Sequence, residues 1–135
     1  MTHVIQTNSH RSSKVKDIAL WFLQALVAAA FLIAGVGKVS GQPLMVQTFE
    51  KIGVGQWFRY VTGGIEVSAA ILLLIPRFTP IGAALLVFTM IGAVITHLAV
   101  IGGSPVPPLM LGVFAGIILW GRFNRVAPLL RRSRA

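Results

Sequence analysis

The sequence contains no cysteine. That single absence excludes disulfides, thiolate nucleophiles, iron–sulfur ligation and CxxC redox chemistry, because each requires sulfur. Acidic residues are nearly as scarce: Asp17, Glu50 and Glu66 stand against 12 lysines and arginines, for a formal net charge of +9. Charged residues of both signs make up 11% of the chain and hydrophobic residues 56%. Soluble domains carry about a quarter charged residues, so this chain has too little polar surface to cover a water-soluble globule. Histidine is short as well. Outside His3 and His10 near the N-terminus there is only His97, so a haem held by two intramembrane histidines lacks one ligand, and zinc lacks its three or four N, S or O donors. No glycine-rich phosphate loop and no hydrolytic triad is present.

What is present is long apolar sequence. Residues 18–37 carry no charge, and neither do residues 78–121. A membrane span needs about 20 apolar residues, so the second run holds two spans. With the segment around Glu66, the reading is an all-α, four-transmembrane-helix bundle with helices at about 18–37, 58–75, 80–100 and 106–121.

The basic residues flank these spans. Arg11, Lys14 and Lys16 precede the first, Arg77 lies in the turn between the second and third, and Arg122, Arg125, Arg131, Arg132 and Arg134 follow the last. Only Lys38, Lys51 and Arg59 fall on the other side. The positive-inside rule then predicts both termini in the cytoplasm, in a multi-pass protein of the inner (plasma) membrane. Lipid headgroups, rather than nucleic acid, are the expected partners of these cations.

Taken in order, residues 1–16 read as a disordered cytoplasmic tail. A signal peptide cleaved near Ala28-Ala29-Ala30 is disfavoured, since the apolar stretch to Gly37 exceeds the 7–15 residues, roughly, of an h-region. Asp17 is placed to cap the first helix, where a carboxylate meets free N–H groups. Gln24, Val27, Phe31, Ala34 and Lys38 share one face of that helix. Met45, Phe49 and Ile52 recur at helical spacing between Pro43 and Gly53, which predicts a short amphipathic helix near 44–51 in the first outer loop, lying at the interface or folded over the bundle as a lid. Residues 17–122 form the membrane domain and 123–135 a basic cytoplasmic tail.

The second span organises the functional reading. Arg59, Thr62, Gly63, Ala69, Ala70 and Leu73 share the face of Glu66, whereas Val61, Ile65, Val67, Ile71, Leu72 and Ile75 point away. An acid at the middle of a span costs roughly 2.5–3.5 kcal/mol on insertion scales, so Glu66 is expected to face protein with a partner or a task. Glycine and alanine beside it permit close helix approach; Gly63, Gly64, Gly112 and Gly116 are the candidate packing positions. Lys38, Arg59, Glu66 and His97 all fall in the outer half and form a candidate buried polar pocket. In the functional reading Glu66 is a proton acceptor or counter-ion and His97 a hydrogen-bond donor or proton relay in a pocket for a quinone, whose carbonyls need donors and whose reduction needs protons. In the structural reading Gln24 hydrogen-bonds a neighbouring helix, Glu66 pairs with Arg59 or Lys38, Lys38 otherwise snorkels outward, and His97 bonds a backbone carbonyl.

Phe31-x-x-x-Gly35-x-x-Lys38, the segment from Phe49 to Gly53, Gly63-Gly64-Ile65-Glu66-Val67, the segment from Leu72 to Pro76-Arg77, Gly82-Ala83 and Gly92-Ala93 with His97 together resemble the DoxX-like family of small membrane proteins. The resemblance covers about residues 18–122; it departs at Val54-Gly55, where a proline is expected. It implies a four-helix membrane domain similar to the small subunit of a thiosulfate:quinone oxidoreductase, and it brings no set of catalytic residues. The expected function is therefore a small membrane subunit or quinone-contacting partner of an oxidoreductase system, with no cofactor held by a ligand motif and with quinone as the candidate cofactor. Alternatives are a proton-coupled transporter and a lipid-binding or assembly factor, and small-residue faces allow a homo-oligomer.

Overall fold

The computed structural model describes the backbone of residues 2–123 and the side chains of residues 11–123. Five α-helices follow one another without a strand among the described residues: α1 Thr2–Ser40, α2 Pro43–Ile52, α3 Gln56–Leu74, α4 Thr79–Thr96 and α5 Val106–Phe123. A π-helical segment, His97–Ile101, continues α4. Four helices are long and apolar enough to cross a membrane, those of residues 11–40, 56–74, 79–101 and 106–123. The chain is an all-α four-helix bundle, and α2 is the short helix expected after the first span.

The N-terminal expectation is corrected. Helix runs through residues 2–16, where disorder was expected. No glycine or proline occurs before Gly35. Once the apolar span has nucleated the helix, extending it N-terminally adds a hydrogen bond per residue at little cost. At 1.5 Å per residue α1 is roughly 58 Å long, about twice the hydrocarbon thickness, and residues 11–16 are exposed. The basic tail expected at 123–135, with Arg125, Arg131, Arg132 and Arg134, lies beyond Phe123 and outside the described residues.

The helices close a ring: α1 packs on α3, α3 on α4, α4 on α5, and α5 returns to α1 through the thinnest of the four seams. Inside lie Val27, Ala28, Phe31, Ala69, Ala70, Leu73, Ala83, Leu86, Met90, Ala115 and Ile118. Many large apolar side chains face outward instead, among them Ile33, Phe88 and Trp120. That distribution suits a lipid solvent, in which burying a large apolar side chain gains little and close backbone contact gains more.

Two close contacts set the helix spacing. A Cβ on Gly63 would stand 2.9 Å from the Gly35 carbonyl oxygen and 2.9 Å from Lys38 Cβ; one on Gly82 would stand 2.7 Å from the Ala69 carbonyl oxygen. Gly112 approaches Met90 Cβ at 3.1 Å from its own added Cβ, but Gly64 and Gly116 have nothing within 4 Å. The expected GxxxG pair of α5 thus packs through Gly112 alone within this chain, and the Gly63-Gly64 pair through Gly63. Gly63→Ala is expected to destabilise the bundle by about 1–3 kcal/mol through overpacking, with Gly64→Ala near neutral, as read by thermal unfolding in detergent.

α2 hangs between two glycines, Gly41 at φ +76° and Gly53 at φ +79°, a backbone region that L side chains avoid. Gly53 closes α2 with its N–H on the Phe49 carbonyl. The buried Phe49 ring meets Phe58 of α3 edge-on, with centroids 5.9 Å apart. α2 also touches the π-helical segment, so it folds back over one end of the bundle.

Candidate functional site

Helical periodicity puts Arg59, Gly63, Glu66, Ala69, Ala70 and Leu73 on one stripe of α3, and all of them are buried. Glu66 therefore points at α1. Side chains on a helix lean toward its N-terminus, so Lys38, in the last turn of α1, reaches back along the bundle. Its Nζ meets Glu66 Oε2 at 2.8 Å. The side chains are 15% and 3% exposed, respectively. Lys38 does not snorkel outward: the Gly35–Gly63 contact brings the helices close enough for the ammonium to reach the acid. One buried carboxylate and one cation offset each other there. The ammonium carries three donors, of which the Glu66 bond uses one.

Arg59 lies one layer nearer the α2 end. Its Nη1 donates to the Lys38 carbonyl oxygen, its Nε donates to Gln56 Oε1 at 2.8 Å, and its guanidinium lies 4.4 Å from the Tyr60 ring centroid. Gln56 Nε2 in turn donates to the Val46 carbonyl of α2 at 3.1 Å. Arg59 thereby caps the C-terminal end of α1, whose orphan carbonyls and negative dipole end favour a cation, and it holds α2 in place through Gln56.

Of the four pocket candidates, Lys38, Arg59 and Glu66 come together, linked through Lys38. His97 is bonded elsewhere. Its Nδ1 donates to the Ala93 carbonyl of its own helix at 2.8 Å, a carbonyl being able only to accept. No hydrogen bond or ion pair joins it to Glu66.

A second polar cluster lies at the opposite end of the bundle; the sequence gives only its Gln24, expected to bond a neighbouring helix, and not the residues that gather around it. Arg122, read as a flanking cation, is 3% exposed. Its Nε donates to Gln24 Oε1 at 2.7 Å, its Nη1 to Asp17 Oδ1, and its guanidinium lies 5.6 Å from the Trp21 ring centroid. Gln24 Nε2 continues the chain to the Leu73 carbonyl at 3.0 Å, which also accepts from Thr79 Oγ1 at 3.0 Å. All four long helices thus meet in one network. Asp17 does not cap α1, which begins well before it; it pairs with Arg122 across the α1–α5 seam. The signal available in the sequence was Gln24, a long polar side chain on the inward face of an apolar helix that required a partner.

No described buried side-chain nitrogen or oxygen lacks a hydrogen bond, and no three His, Asp or Glu side chains among the described residues group as metal ligands. The chemistry offered is a charged donor–acceptor pair and a network of neutral and cationic donors.

Comparison with known proteins fits this geometry. Residues 22–121 match the model of a family described as the DoxX-like family. Over 84 residues the chain is 30% identical to a protein of Bacillus subtilis (strain 168) named "Putative oxidoreductase CatD". That match covers 62% of this chain and 63% of the relative, so the chain spans less than two thirds of the relative's length. No solved structure matches.

Proposed function

Since the chain belongs to the DoxX-like family, we propose that it is a membrane subunit of an oxidoreductase system that holds a quinone headgroup against the Lys38–Glu66 pair, while a partner supplies the redox centre. The observation that carries this reading is the state of Lys38. Its ammonium is anchored by one bond to Glu66 and keeps two further donors, and its side chain retains 15% exposure where Glu66 has 3%. A quinone carbonyl requires such a donor, and the carboxylate of Glu66 beside it can take up and return protons as bound quinone and quinol interconvert, the electrons passing through the partner's redox centre. The name of the Bacillus subtilis relative supports the oxidoreductase setting, and the sequence without cysteine supports a redox centre carried elsewhere. The excess of cations at the end opposite α2 supports cytoplasmic termini in a plasma membrane, with the pair in the outer half.

Native mass spectrometry of the protein gently extracted from its own membrane tests the reading. Wild type is expected to carry a quinone adduct together with a redox subunit, and Lys38→Met to lose the quinone while keeping the subunit. A wild-type protein that carries neither overturns it.

A further inference from the structure

Three cations of the described chain are drawn into the bundle, namely Lys38, Arg59 and Arg122, and the whole sequence has three acids with which to match them. Glu66 pairs with Lys38 and Asp17 with Arg122. Glu50 is exposed on α2 and in no ion pair among the described residues. Arg59, 5% exposed, is left with no carboxylate at ion-pair distance among the described residues. Its neighbours are all formally neutral: the Lys38 carbonyl, Gln56 Oε1 and the Tyr60 ring. The end of α1 contributes roughly half a negative charge, which offsets only part of the guanidinium. A buried charge without a full counter-charge is expensive.

The guanidinium has a free edge. Nε and Nη1 are bonded, and Nη2 makes no hydrogen bond among the described residues. Because no buried side-chain nitrogen is left without a partner, Nη2 reaches the surface. It does so beneath the turn from α1 to α2, where Gly41 presents no side chain; a Cβ there would lie 3.6 Å from Nη1 and 3.9 Å from Nη2. Arg59 stands in the first turn of α3, near Trp57 and Tyr60 in the sequence, aromatic residues of the kind that gather at the headgroup level of a bilayer.

We propose that Arg59 is the floor of an anion site under the α1–α2 turn that takes a phosphate-type oxyanion, from a lipid headgroup or free in solution, on the open edge of its guanidinium. Arginine suits such a ligand because its planar fork presents parallel N–H groups to two oxygens of one anion. The missing negative charge is then supplied from outside the chain. The site lies one layer from the Lys38–Glu66 pair, joined to it only through the Lys38 carbonyl, and it does not rest on the quinone reading.

The test uses the full chain in nanodiscs. In a zwitterionic bilayer, sodium sulfate or phosphate is titrated against sodium chloride at matched ionic strength and the unfolding temperature is followed; in a second arm, phosphatidylglycerol is added to the bilayer without these salts. Wild type is expected to gain roughly 5 °C, saturably, in at least one arm. The first arm identifies a free oxyanion as the ligand and the second a headgroup. Arg59→Gln should abolish the gain. Because that variant also loses the cap of α1, Arg59→Lys serves as its control: it keeps the charge without the fork and should retain a weaker gain. Glu50→Gln should respond as wild type does. The proposal is overturned if wild type responds to neither arm beyond chloride, if Arg59→Gln keeps the full gain, or if Glu50→Gln lowers stability as far as Arg59→Gln, which would make Glu50 the counter-ion.

Discussion

Glu66→Ala is expected to destabilise the bundle by about 3–5 kcal/mol, the cost of removing one partner from a buried ion pair and leaving the other charge without compensation. Lys38 is the group left behind. Its side chain is mostly buried, and its backbone is held by the Arg59 bond to its carbonyl, so the ammonium cannot withdraw freely. Replacing both partners by apolar residues, Lys38→Met with Glu66→Leu, should return most of the loss, because desolvation of two ions then disappears together with their attraction. A double-mutant cycle read by denaturant unfolding in detergent checks this. Single-variant losses that add to within about 0.5 kcal/mol of the double would show that the two side chains are not coupled. The same double variant separates structure from chemistry. On the proposed function it should fold and keep its redox partner but lose bound quinone.

Arg122→Leu is expected to cost about 2–4 kcal/mol, and the loss should open the α1–α5 seam rather than melt the helices. Buried Gln24 Oε1 loses its donor, which alone costs about 1–3 kcal/mol. The ion pair to Asp17 adds about 1 kcal/mol or less, since the Asp17 side chain is 44% exposed and water screens it. Asp17→Asn should therefore be mild. Gln24→Leu combined with Arg122→Leu should be milder than Arg122→Leu alone, because no buried amide then lacks a partner. Few other contacts close this seam. Leu20 also packs against Gly121, where an added Cβ would meet Leu20 Cδ1 at 2.7 Å. Circular dichroism should show nearly unchanged helicity in Arg122→Leu at low temperature together with earlier unfolding. An unfolding midpoint equal to wild type would refute the clasp.

The stripe of α3 was legible because helical periodicity is local: seven residues on either side of Glu66 are enough to show that arginine, glycine, alanine and the acid share a face. The short helix α2 was legible for the same reason, from apolar residues at helical spacing between glycines. Lys38 was legible only as a candidate. Whether it snorkels outward or turns to Glu66 depends on how closely α1 and α3 approach, and the Gly35–Gly63 contact that settles this joins positions 28 residues apart along the sequence. His97 is expected in the same outer half as Glu66, yet its hydrogen bond goes back to Ala93 of α4, because rotation of that helix about its axis is set by packing. The extension of α1 through residues 2–16 was misread from polarity, which reports exposure and does not by itself forbid a helix.

By itself, the sequence determined the membrane class, the four spans, the short helix α2 and the inward face of α3. Each follows from apolar length or from periodicity within a single helix, and both are set by neighbours along the chain. Only the tertiary structure decided which charges meet. Lys38 finds Glu66 across 28 residues, Arg122 finds Gln24 across 98 and Asp17 across 105, and Arg59 is left with neutral neighbours. Ion pairing acts over a few ångströms between different helices, and those distances are set by how the helices pack.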